Sequence, residues 1–265
     1  MQVLSSVGAT ILAEGPFPPS VDEFYPPSLL GDGGVWLTKI TALIWLSIAA
    51  IIVFFLVAYR NPKLVPTKTQ WMAESFYGFI RNNIAKDLIG HEGVRFAPYL
   101  ATLFAFILLN NLFGLIPPFQ LSPNSHIAFP IVLAVISYVM FIYLGIRKHG
   151  AKKFFKNALI PPAPWFMLPL LILIEGFSTF IVRPVTLALR LFANMFAGHM
   201  ILLVFTLGGF ALLNADSLFV KPLSLLSWLL TLALFALEVV VALLQAYVFV
   251  VLTSSYIQGA LAEEH

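Results

Sequence analysis

Seven polar side chains stand where an apolar chain has least use for them. The stretch Leu187–Met200, "LALRLFANMFAGHM", carries Arg190, Asn194 and His199. Glu175 and Arg183 precede it, and Glu238 and Gln245 lie in the next apolar run. A charge at the centre of a spanning helix costs roughly 2.5–3.5 kcal/mol. Residues that carry such a cost face protein or water, and they mark ion paths, proton relays or buried pairs. Helical spacing sorts them. Arg183, Thr186, Arg190, Asn194 and Ala197 recur at intervals of three or four and share one stripe. Ala188, Ala193, Ala197 and Gly198 lie around that stripe and permit close approach of another helix. His199 is nine positions from Arg190, on the opposite face, while Glu238 and Gln245 are seven apart and share a face. Two antiparallel helices can bring Gln245 near Arg190, with His199 and Glu238 meeting elsewhere. The same spacing admits blander roles. Arg190 could pair structurally with Glu238 or Glu175, His199 could be a packing residue, and Asn194 and Gln245 could be interhelical glue. Asn110 and Asn111, late in an earlier apolar run, read as packing or water-contact residues.

The elements that must hold these groups are membrane helices. The chain has 265 residues, of which 60% are hydrophobic and only 10% charged. Soluble domains carry about 25% charged residues. Runs of about 20 apolar residues recur, the length that a bilayer core of about 30 Å demands. The fold class is therefore all-α and polytopic, in one membrane domain. A polar leader rich in proline, glycine and acids covers 1–34. Spans are expected at 35–59, 98–116, 127–146, 165–213 and 223–257. Lys39, near the start of the first, can snorkel to the interface. Residues 70–89 are too polar to span. Met72, Phe76, Phe79, Ile80, Ile84 and Leu88 recur there at helical spacing, which suggests an amphipathic helix on the membrane surface. Glu74 and Asp87 read as its solvated side.

The run 165–213 poses a choice. As one helix it is on the order of 70 Å long, over twice the hydrocarbon thickness. It either breaks in two at Arg183-Pro184 or crosses once at a steep tilt. No polar loop surrounds Pro184, which favours one crossing with a local bend there. Basic residues set the orientation. Arg60, Lys63, Lys68, Arg81, Lys86 and Arg95 follow the first span, and Arg147, Lys148, Lys152, Lys153 and Lys156 follow the third. Loops rich in lysine and arginine face the cytoplasm. The N-terminus is then outside and the C-terminus cytoplasmic.

Several chemistries are absent from the sequence. It has no cysteine, so disulfides and thiolate sites are excluded. It has neither a phosphate-binding glycine loop nor a local histidine metal motif. No metal, cofactor or nucleic acid is expected, and no catalytic centre of the chain's own.

Once assembled, these residues identify a family. The chain resembles subunit a of the F-type ATP synthase membrane sector. "LRLFANMFAGH" carries the hallmark arginine, and "LIEGFSTFIVRPVTLALR", "LLQAYVFVVLTSSY", "NNLFGLIPP" and the "EEH" ending extend the match. The resemblance implies two long tilted C-terminal helices against a ring of c subunits, with b-type peripheral stalk subunits and membrane lipid as the other partners. It implies a stator with two offset proton half-channels that couple proton flow to ring rotation and ATP synthesis in a bacterial plasma membrane. Arg190 matches the essential arginine. Glu175, Asn194, His199, Glu238 and Gln245 become pathway or arginine-neighbour residues. Two departures stand out. His199 and Glu238 are in the order opposite to that common in bacterial members, an exchange that preserves a His–Glu pair. Gly114 replaces an acid that some members carry, so it supplies no carboxylate.

Overall fold

The computed structural model describes residue 19 and residues 38–116, 119–159, 167–215 and 219–262, with the side chains of 157 and 158 left aside. The leader, apart from Pro19, the Pro117-Pro118 pair and the "EEH" ending lie outside the described residues. The described residues are almost wholly helical and contain no strand. Five helical stretches are long and apolar enough to cross a membrane.

Helix α1, Lys39–Ala58, starts at a capping box in which Thr38 and Thr41 satisfy each other's backbone. It is mostly uncovered, with Trp45, Ile52, Val53, Leu56 and Val57 exposed. Helix α2, Lys68–Phe79, runs on through π-helical turns at Ile80–Ile89. Its inward side is Ala73, Ile80, Ile84 and Ala85, while Met72 and Phe79 are exposed. The expected stripe of six apolar residues is thus split. Phe76, Ile80, Ile84 and Leu88 face the core, and Met72 and Phe79, both in the regular α part, do not. A 3₁₀ turn at His91–Phe96 leads into α3, Ala97–Phe113. Helix α4, Ala128–His149, ends at Gly150, whose φ of 78° is in the left-handed region. Arg147, Lys148 and His149 fill its last turn, where the helix dipole favours cations. Helix α5, Ala151–Leu159, is short and follows directly.

Helix α6, Leu168–Phe177, a π segment at Ser178–Val182 and α7, Arg183–Leu213, form one unbroken helical stretch. Its 46 residues would extend roughly 69 Å, so it fits a bilayer core of about 30 Å only when steeply inclined. The irregularity sits before Pro184 rather than at it. Proline lacks an N–H and its ring crowds the carbonyl four residues back, so the preceding turn widens. The N–H of Arg183 accordingly reaches the carbonyl of Ser178, five residues back. Helix α8, Pro222–Leu261, is 40 residues long.

The most extensive packing is between α7 and α8. Helix α3 packs on α8, and α4 packs against both α7 and α8. Leu100, Ile107, Leu187, Leu191, Phe249, Val250 and Ile257 are wholly buried between them. The most apolar window of the α6–α7 stretch is only 11% buried. One side of it therefore lies at the edge of the bundle, with nothing from the described residues over it.

Candidate functional site

Arg190 occupies the middle of the long stretch, 22 residues after Leu168 and 23 before Leu213. It is exposed, as are Thr186, Ala193, Asn194 and Ala197. The opposite side of α7 carries Leu187, Ala188, Leu191, Met195 and His199, all buried. The helix thus turns one polar, small-residue stripe outward and one apolar stripe inward. Among the described residues no carboxylate pairs with Arg190. Glu175 is paired with Arg183, and Glu238 lies against Gly198 on the other side of the helix pair. Both structural partners that spacing allowed for Arg190 are thereby removed.

Gln245 comes one helical turn from Arg190. Asn194 Nδ2 donates to Gln245 Oε1 at 2.7 Å, which ties α7 to α8 near the middle of the long stretch. Gln245 is otherwise buried, and its Nε2 has no partner among the described residues. A buried donor left unmatched costs about 1–3 kcal/mol.

Towards the α3–α4 loop, Glu238 lies against the backbone of α7. A Cβ built at Gly198 would sit 2.8 Å from Glu238 Oε1 and 3.0 Å from its Cδ. Only glycine allows that approach. Glu238 is buried, and its Oε2 has no hydrogen-bond partner. His199 is next in sequence to Gly198, and consecutive positions diverge by about 100° around a helix. Its imidazole faces the backbone of Gln120, within electrostatic reach of Lys39. Glu238 of α8 therefore packs on the turn of α7 from which His199 projects to a different side.

A buried polar cluster adjoins them. Asn111 Nδ2 donates to the carbonyl of Ala242, one turn beyond Glu238, at 3.2 Å. Asn124 Nδ2 donates to Asn111 Oδ1 at 2.7 Å and holds that amide in place. Ser122 Oγ donates to the carbonyl of Asn110 at 3.0 Å and accepts from the N–H of Asn124. The Oδ1 atoms of Asn110 and Asn124 have no partner. A Cβ at Gly114 would lie 3.1 Å from Ser122 Cβ, so the loop closes directly on this glycine. Ser122 and Asn124 drew no notice in the sequence, because polar residues in a short loop are unremarkable. Only the long-range contact gives them meaning.

Towards the opposite interface, Glu175 meets Arg183 at 3.5 Å, and Thr179 Oγ1 donates to Glu175 at 3.1 Å. In a regular α-helix residues i and i+8 are about 80° apart. The π segment absorbs the extra residue and returns both to one face. Tyr138 of α4 stands beside this pair with its hydroxyl buried and unpartnered, within electrostatic reach of Arg183. Tyr256 of α8 is within electrostatic reach of both Arg183 and Arg190. Polar groups thus lie on both sides of Arg190 along the membrane, and Arg190 lies between them. No cluster of metal-ligating side chains occurs among the described residues.

Residues 41–258 match the profile of the family described as ATP synthase A chain. The chain belongs to the ATP synthase subunit a family. An ATP synthase subunit a from a Nocardioides species is 43% identical over the full length of both chains. One from Pseudarthrobacter chlorophenolicus is 44% identical over 94% of each chain. One from Streptomyces lividans is 42% identical over 93% of this chain and 88% of its own. Membership places the polar stripe and its flanking groups in a subunit of a membrane-embedded machine.

Proposed function

We propose that this chain is the stator subunit of an ATP synthase that carries protons through two offset half-channels to and from a rotating ring of c subunits. The observation that carries the reading is the setting of Arg190: mid-stretch, on the side of α7 that no described residue covers, without a carboxylate partner among the described residues, and between two polar groups of residues. The cluster of Asn110, Asn111, Ser122, Asn124, His199 and Glu238 supports one half-channel. Glu175, Thr179, Arg183 and Tyr138 support the other. Asn194 and Gln245 fix the helix pair beside the arginine.

The chemistry follows from the guanidinium. Arginine stays charged even when desolvated. Facing a rotor carboxylate, it favours the ionised form by opposite-charge attraction. A carboxylate must therefore be deprotonated as it passes Arg190 and protonated before it moves into lipid. The proton leaves by one half-channel and its successor arrives by the other. The fixed positive charge between the half-channels repels a proton that would pass straight through. A charge crossing 100 mV releases about 2.3 kcal/mol, so several protons are needed per ATP. The chain itself makes no bond in ATP; it is a non-catalytic part of the synthase, held by b-type peripheral stalk subunits in a bacterial plasma membrane. Its N-terminus is outside and its C-terminus cytoplasmic.

The test is Arg190→Ala and Arg190→Lys in assembled complexes. Both should abolish ATP-driven proton pumping and ATP synthesis while assembly persists. Coupled pumping retained by assembled Arg190→Ala complexes overturns the reading.

A further inference from the structure

Away from this site, a basic cavity opens between the 3₁₀ turn at His91–Phe96, the end of α4 and the end of α8. It has a volume of about 360 Å³ and is lined by Glu92, Arg95, Phe96, Leu144, Arg147, Lys148 and Leu261. Three cations face one carboxylate. Glu92 is shared, at 3.3 Å from Arg95 and 3.8 Å from Lys148. Lys148 also donates to the carbonyl of Leu261 at 2.6 Å, closing the C-terminal end of α8. Arg95 lies over the Phe96 ring, 4.8 Å from its centroid. Arg147 is exposed and donates to the Tyr143 hydroxyl at 3.4 Å, one contact for a group with five donors. Lys152, Lys153 and Lys156 of α5 add positive charge just beyond the end of α4.

The cavity does not stand alone. Val132, Ile136, Val139 and Tyr143 form an exposed stripe along α4 at intervals of three or four, and Arg147 is its next step. From Ile136 to Arg147 the helix rises about 16 Å, close to half of the roughly 30 Å hydrocarbon core. An apolar track the length of one leaflet therefore ends in an anion-seeking cavity. We propose that this is a site for an anionic phospholipid, with its phosphate between Arg95 and Arg147 and one acyl chain along the α4 stripe. The stripe favours a lipid over a soluble anion or an acidic protein segment, since neither of those needs an apolar track. Basic pockets at membrane interfaces take anionic headgroups by charge and hydrogen bonding together.

The experiment places the assembled complex in nanodiscs containing photoactivatable phosphatidylglycerol or phosphatidylcholine. Crosslinks are mapped by mass spectrometry. The parent should label on α4 between residues 132 and 147, with an anionic over zwitterionic preference on the order of tenfold. The variant R95Q/R147Q should label with little preference, whereas R60Q, at another interface position, should behave as the parent. Lys148 is left intact because it caps α8. Equal labelling by both lipids in the parent overturns the proposal, as does an unchanged preference in R95Q/R147Q. Loss of labelling on adding millimolar glycerol phosphate points to a soluble-anion site and also overturns it. So does a preference that emerges only in E263Q/E264Q, which would assign the cavity to the acidic residues after Leu261.

Discussion

Substitution of Gly198 by alanine tests the placement of Glu238 directly. The new methyl would stand 2.8 Å from Glu238 Oε1 and 3.0 Å from its Cδ, so the carboxyl must retreat about 0.6 Å to reach the 3.4 Å of ordinary contact. Glu238 is buried between α7 and α8, and its Oε2 already lacks a protein partner. The side chain cannot swing out freely, so the strain resembles overpacking, which costs about 1–3 kcal/mol. If proton transfer requires the carboxyl at its present place, the conducting arrangement falls in population by that amount, roughly 5- to 150-fold. The assay is ATP-driven acidification of vesicles carrying assembled complexes, with passive proton flux measured after the ATPase head is removed. A second variant sharpens it. Glu238→Asp shortens the side chain by about 1.5 Å, enough to clear the methyl. Glu238→Asp in the Gly198→Ala background should therefore conduct better than Gly198→Ala alone. Parental flux in Gly198→Ala refutes the reasoning, and so does a double variant no better than the single one.

Two further outcomes follow from the geometry. Pro184→Ala should restore a regular helix before Arg183 and turn Glu175 about 80° away from it; a double-mutant cycle of Glu175→Gln and Arg183→Gln, read as resistance to denaturing detergent with and without Pro184→Ala, reports this, and a coupling unchanged by Pro184→Ala contradicts the role given to proline. A double-mutant cycle of Asn194→Ala and Gln245→Ala, read as resistance of the complex to denaturing detergent, should give a coupling of about 0.6 kcal/mol and no more than roughly 1.7 kcal/mol; strict additivity would mean that the 2.7 Å bond carries nothing.

The fold was legible in the sequence because the bilayer imposes a length and a composition that single runs reveal. The unbroken 46-residue stretch was legible for a related reason: no polar loop surrounds Pro184. The place of its irregularity was less so. Spacing suggested a bend at Pro184, but the strain of a proline falls on the turn before it, at Ser178–Val182. Helical spacing sorted Arg190 and Asn194 from His199, since those relations lie within one helix. It could not choose between Glu238 and Glu175 as partners of Arg190, because that depends on how two helices are offset. The offset is set by close contacts such as Gly198 with Glu238, which no periodicity encodes. The Asn111–Asn124–Ser122 cluster was beyond reach for the same reason, as its members meet only once α3, the following loop and α8 are in place.

The central claim is that the uncovered side of α7 at Arg190 is completed by a carboxylate on another subunit. The most direct measurement is a structure of the assembled membrane sector in several rotary positions. The account predicts a rotor carboxylate within about 4–6 Å of the Arg190 guanidinium in at least one of them, the range in which opposite charge shifts ionisation strongly. A ring that never brings a carboxylate within about 10 Å, one Debye length at 0.1 M salt, would contradict it.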